Sequence, residues 1–408
     1  MARHGWKPCG KRLKDRRDGM SKIQDVFYAF ALAGVVSLVC APNGHAQGAK
    51  SAVLINGEAP VTLTRPHTPG GTKPEFTGIT VMPGRGMEVQ QITAWFPGKG
   101  EMNVLASPSL VQTASMLNGR DTGNGDLGYR LGAAFLFPYP NRIRGKLTAD
   151  GKMLTAVWNG RSVTIPANNI GRLPGAERHA MHGLILKSKV TDVKVTRTAD
   201  GGVITGVLHC GDFGGHWFSS SDLYYTITLT AGSLEVAITA KNVGNASEPV
   251  ALGWHPYIAL PSRDRKQARL HIPGSVLAVV DNYDNVFPTG KLMPVAGTAY
   301  DFEAPDGKAL GGQFLDDNFS SLQRTNGVVV VKVLDPEAHY GVEIDGVSPE
   351  IRTVQAYAPP TQSFVAVEDQ YNFGDPFGRE WGTMNTGMVT LGPGKSTKWQ
   401  VRLKLLQP

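Results

Sequence analysis

Four short stretches of this 408-residue chain carry side chains able to move protons or hold polar ligands. The first is Asn141-Arg142-Ile143-Arg144-Gly145, which follows an apolar run from Ala133 to Tyr139. The second is His182-Gly183, close behind His179. The third is Gly253-Trp254-His255-Pro256-Tyr257, directly after the apolar Val250 to Leu252. The fourth is Glu368-Asp369-Gln370, ending the apolar run Phe364 to Val367. A carboxylate accepts protons and an imidazolium donates them near neutral pH, so these residue types suit general acid–base work. A His or Glu at the end of an apolar strand has a fixed backbone while its side chain faces an open site. Each feature alone is weak evidence. A lone strand-end His is more often a satisfied structural residue, Arg142 could pair with a surface carboxylate, and Glu368 beside Asp369 could be a solvated turn. The sequence shows neither a glycine-rich phosphate loop nor histidines at metal-ligand spacing, which favours chemistry without a cofactor or metal.

The elements that must position these residues read as strands. Glycine and proline are abundant, at 49 and 27 residues, and long helical periodicities are scarce. Leu223, Tyr225, Ile227 and Leu229 alternate with polar neighbours, and after a turn at Gly232-Ser233 the alternation resumes at Leu234, Val236 and Ile238. Trp399, Val401, Leu403 and Leu405 repeat it at the C-terminus. Asp150-Gly151 and Asn159-Gly160 predict two-residue hairpin turns flanking Met153 to Trp158. The β-branched run Val328 to Val333 predicts a strand buried on both faces. Ser107 to Leu117 is the best helix candidate. Many short strands between turn residues predict an all-β protein, a sandwich or barrel in one large domain.

The N-terminus has a different character. Residues 26 to 41 are apolar and uncharged, eight Lys or Arg precede them, and Gly44-His45-Ala46 places small residues before a cut ahead of Gln47. This pattern predicts a signal peptide over residues 1–46, since the run is shorter than the ~20 residues of a spanning helix. A periplasmic or secreted protein with no membrane insertion after cleavage follows. Removing eight positive and three negative charges lowers the net charge from +7 to +2, so the high pI belongs mostly to the leader. It is no argument for a nucleic-acid partner. Of three cysteines only Cys210 lies beyond the leader, which excludes an internal disulfide and thiolate metal clusters. Residues 47–78, rich in Pro, Gly and Thr, read as an N-terminal arm or edge segment before a domain spanning 79–408.

In order along the chain, the motifs resemble those of the aldose 1-epimerase (galactose mutarotase) family. That family carries Asn-Arg-Ile, His-Gly, His-Ser/Pro-Tyr, Asp-His-x-Phe and Glu-Pro-Gln motifs. The matching stretches are Asn141-Arg142-Ile143, His182-Gly183, His255-Pro256-Tyr257, Asp316-Asp317-Asn318-Phe319 and Glu368-Asp369-Gln370. Asp281 to Phe302 is similar to the family's connecting stretch, and Leu391 to Lys395 to the turn before its last strand. Asp317, Asp369 and Leu184 depart from the pattern, and are expected to bear on sugar choice.

The resemblance implies a large antiparallel β-sandwich of the galactose mutarotase type with few short helices. It also implies interconversion of the anomers of a free hexose, with Glu368 as base and His255 as acid, no cofactor, and a monomer or weak homodimer. Arg142, His182 and Asp316 would bind sugar hydroxyls, and Trp254 or Trp381 could offer the sugar an apolar face. Three other readings remain open from the residues: a glycosidase using Glu368 with Asp316, a non-catalytic sugar-binding protein, and a hexose-phosphate epimerase using Arg144 and Lys146.

Overall fold

The computed structural model describes residues 53–119, 128–171 and 173–408. The leader and its cut site lie outside these residues. Strands dominate because alternating apolar residues can cover two faces of one core. An 11-stranded sheet runs in the order Val61–Thr64, Glu75–Met82, Glu88–Phe96, Ala133–Leu136, Gly253–Ala259, Phe364–Gln370, Thr353–Ala358, Leu315–Leu322, Gly274–Val280, Pro288–Pro294. Gly100–Asn103 pairs off this path with Glu88–Phe96. A 9-stranded sheet includes Ser221–Leu229, Leu234–Asn242, Ser396–Leu406, Tyr340–Gly346 and Val329–Asp335 as consecutive neighbours. The strand pairs in both sheets are antiparallel. Val61–Thr64 is the edge strand against Glu75–Met82, so a boundary drawn at residue 79 falls inside a strand.

Residues from both sheets form one apolar core. Phe135, Trp254, Val354 and Val367 come from the larger sheet, and Tyr225, Ile238, Ile344, Trp399 and Val401 from the other. The two indole N–H groups of this layer are satisfied: Trp254 donates to the Ala133 carbonyl of the neighbouring strand at 2.9 Å, and Trp399 reaches the Asp369 carbonyl of the opposite sheet at 3.0 Å.

Several local expectations meet the structure. Asn159-Gly160 makes the two-residue turn, with both residues at positive φ and Trp158 paired to Arg161. Around Asp150-Gly151 the turn is wider, because Thr148 closes on Met153 and its hydroxyl donates to Asp150. The helix is Leu110–Gly119, with the Ser109 hydroxyl accepting from the Gln112 amide at its start. Val329–Asp335 is not buried on both faces: Val330 and Lys332 are only half-buried and alternate with buried neighbours, as in a sheet with one face toward solvent.

Candidate active site

The larger sheet has an inner face against the core and an outer face that carries the candidate residues. Strand Gly253–Ala259 pairs with Phe364–Gln370 in a register bracketed by Gly253↔Gln370 and Tyr257↔Ala366, which sets His255 opposite Glu368. The next strand places Gln355 opposite Glu368, and the one beyond places Asn318 opposite Gln355. Alternation along each strand then puts His255, Glu368, Gln355 and Asn318 in one lateral row. All four are buried. His255 Nε2 lies 3.3 Å from Glu368 Oε1, and Gln370 Nε2 donates to Glu368 Oε2 at 2.6 Å.

A ring of hydrogen bonds closes beside this row. Arg142 Nη2 donates to Asp316 Oδ2 at 3.1 Å, and Gln355 Nε2 donates to Asp316 Oδ1 at 2.8 Å. Asn141 Nδ2 donates to Gln355 Oε1 at 3.0 Å, while Asn141 Oδ1 accepts from Arg142 Nη1 at 3.1 Å. The backbone explains two motifs here. Asn141 and His182 both have positive φ, and the His182 amide donates to the Asn141 carbonyl at 2.9 Å. Gly183 sits at φ 78°, where a Cβ would lie 2.2 Å from the Phe137 carbonyl oxygen. Only glycine lets the chain pass there and still present His182. His182 meets His255 edge-on with ring centroids 5.0 Å apart, and Tyr257 stacks on His255 at 4.8 Å.

Burial governs the electrostatics. It pushes Glu368 well above the usual carboxylate range, with the Asp316 charge adding to the effect and Gln370 and Arg142 opposing it. It pushes His255 down to about 3, helped by Arg142 and Arg130. His182 falls well below the ordinary histidine value for the same reason, with His255 and Arg142 contributing. Both shifts of the reacting pair run toward the uncharged forms, a protonated Glu368 carboxyl beside a neutral His255 imidazole. The Nδ1 atoms of both histidines, Arg142 Nε and both amide atoms of Asn318 are buried without hydrogen-bond partners.

The structure thus brings Arg142, His182, His255, Asp316 and Glu368 together on one face. It does not bring the departures from the motif pattern there. Asp317 alternates to the inner side with Leu315 and Phe319 and accepts from the Tyr283 hydroxyl at 2.7 Å. Asp369 likewise turns inward, where Arg324 and Asp345 act on it. Leu184 packs against the small apolar cluster that contains Tyr139 and Trp217. Trp254 is in the inter-sheet core, and Trp381 is buried with its indole donating to the Gly374 and Asp375 carbonyls, so neither offers the sugar a face. Arg144 is taken by Glu177 and Asp281 and lies over Phe287. Gln355 and Tyr129 were not visible as site residues. Gln355 could have been suspected as the polar member of Thr353–Ala358, whereas nothing local marks Tyr129.

A family model described as aldose 1-epimerase matches residues 116–404. The chain belongs to the aldose 1-epimerase family. The matched span contains all five motifs. No curated protein matches the sequence. Among solved structures, a galactose mutarotase-like protein from Clostridium acetobutylicum is similar at a TM-score of 0.65 and 18% identity, covering 85% of this chain and 98% of that one. An aldose epimerase homologue from C. elegans gives 0.59 at 17% identity, covering 83% and 99%. A galactose 1-epimerase from Lactobacillus acidophilus NCFM gives 0.58 at 14%, covering 85% and 98%. These likenesses establish the galactose mutarotase-like fold.

Proposed function

We propose that this aldose 1-epimerase family member interconverts the α and β anomers of a free hexose such as glucose or galactose. The observation that carries the reading is the 3.3 Å contact between His255 Nε2 and Glu368 Oε1. The two oxygens that must exchange protons, the anomeric hydroxyl and the ring oxygen, are bonded to the same carbon. An acid and a base that touch each other can therefore each reach one of them.

Transfer of the pair's proton from carboxyl to imidazole makes Glu368 a carboxylate base and His255 an imidazolium acid without a proton from solvent. Glu368 then removes the proton from the anomeric hydroxyl while His255 protonates the ring oxygen as its bond to C1 breaks. The open aldehyde rotates about C1–C2. Closure on the other face returns both protons, and the enzyme recovers its starting state. Each such transfer contributes ~10²–10⁴-fold, ample for a reaction that proceeds slowly in water. Arg142 and Asp316 hold ring hydroxyls, and the unpartnered nitrogens of His182 and Arg142 suit a polyhydroxyl ligand. Asp316 has both oxygens engaged by Arg142 and Gln355, which suits an anchor better than the second carboxylate of a hydrolase.

Polarimetry on freshly dissolved α-glucose and α-galactose tests the reading. The parent should accelerate equilibration, and Glu368→Gln and His255→Asn should each lose at least about a hundredfold. An inactive parent across neutral and anionic aldoses alike, or a fully active Glu368→Gln, overturns it. The leader supports a place in the periplasm or outside the cell. N-terminal sequencing of exported protein should begin at Gln47, and an intact leader rejects that proposal.

A further inference from the structure

Arg130 ends the 3-10 turn Gly128–Arg130 and is exposed, yet its guanidinium is fixed. Nε and Nη2 both donate to the Tyr129 hydroxyl, at 3.0 and 2.8 Å. The Tyr129 ring in turn lies against the rings of His182 and His255, with centroids 4.8 and 5.7 Å away. The cation is thereby tethered on the His255 side of the reacting pair, and its charge is felt at His182, His255, Tyr257 and Tyr357.

Two further observations concern charge. Arg142 is neutralised by Asp316, and Arg144 by Glu177 and Asp281. Arg130 has no carboxylate within ion-pair distance among the described residues. The His255–Glu368 pair is neutral overall when it holds its one proton, whichever partner carries it. Among the described residues Arg130 is therefore a cation beside the reacting pair that no carboxylate engages directly, unlike Arg142 and Arg144. The Tyr129 hydroxyl takes up only the Nε side of the guanidinium, so the end defined by Nη1 and Nη2 still presents parallel N–H groups. That is the fork which grips carboxylate or phosphate oxygens in pairs.

We propose that the natural substrate is an anionic aldose, with a carboxylate or phosphate on the exocyclic carbon attached to C5, held by Arg130. This rests on the mutarotase reading above and specifies its substrate class. The placement follows from connectivity: C5 is bonded to the ring oxygen that His255 protonates, so its substituent lies on the His255 side, where Tyr129 holds the guanidinium. Export, as proposed, makes the carboxylate the more accessible of the two anions.

The test compares kcat/KM for anomer exchange, by polarimetry or magnetisation-transfer NMR, on four sugars with the full exported protein. Galactose and glucose are the neutral pair, galacturonate carries the carboxylate, and glucose 6-phosphate the phosphate. The parent should favour one anionic sugar over its neutral counterpart by about tenfold or more. That advantage should shrink as ionic strength rises. Arg130→Gln should bring the ratio close to one, and Arg130→Lys should restore part of it. The sugar that responds identifies the anion. A parent that turns over neutral hexoses without anionic preference overturns the inference and leaves the mutarotase reading intact, as does a preference that survives both Arg130→Gln and high salt. A parent inactive on all four sugars removes both.

Discussion

The proton shared by His255 and Glu368 decides how the site responds to pH. The active pair holds one proton. It is lost above the raised value of Glu368 and joined by a second below the depressed value of His255. The acid limb of kcat/KM should therefore fall far below pH 6.5, toward about 3, and activity should persist through pH 5. An acid limb at pH 6 to 7 would mean that His255 titrates as an ordinary imidazole and that burial does not control the pair. At this scale the sequence was informative wherever a residue sits within a motif. Gln355 was opaque for a physical reason: its importance comes from Glu368 on one side and Asn318 on the other, and lateral neighbours in a sheet are distant in the chain.

Elements place these residues by backbone geometry that a few positions dictate. Gly183→Ala would force a Cβ against the Phe137 carbonyl at positive φ. The expected result is a loss of roughly 1–3 kcal/mol in thermal or denaturant unfolding, together with a reduced kcat as His182 is displaced. Unchanged activity would show that His182 is not needed in this position. Turn chemistry explains what was legible at this level. Asn159-Gly160 supplies the two positive φ values that a tight hairpin requires, and both are observed. Asp150-Gly151 has similar residues, but Thr148 bonds to both Asp150 and Met153 and sets a longer loop. The run Val328 to Val333 misled because β-branched residues mark a strand without saying how many of its faces are covered.

Across the whole molecule, the two sheets meet behind the reacting pair, and the contact carries buried carboxyls. Burial pushes Asp369 up to about 8, with Asp345 adding to the shift and Arg324 opposing it. An unfolded Asp ionises near 4, so between about pH 4 and 8 the native state binds a proton that the unfolded chain has released. Stability from this group therefore falls as pH rises through that window. Asp369→Asn, which cannot titrate, should gain Tm relative to the parent on going from pH 5 to pH 8. A relative loss over the same range would show that Asp369 is ionised and held by Arg324. Alternating apolar strands and frequent turns made the sandwich readable. The pairing order was not, because an antiparallel sheet that places Ala133–Leu136 beside Gly253–Ala259 joins segments by long-range contacts that leave no local trace.

The opposition of His255 and Glu368 also bears on how this chain can change over generations. Strand side chains alternate, so inserting or deleting one residue within Gly253–Ala259 or Phe364–Gln370 would turn that strand's half of the pair toward the apolar core. Substitutions at the outer rim leave this phase untouched, and loops far from the two strands can lengthen freely. New substrates are thus open to such a protein through exposed residues like Arg130, while the spacing inside two short strands stays fixed. Length polymorphism in this lineage should be confined to connections, and a deletion scan would find its sharpest intolerance in these two strands.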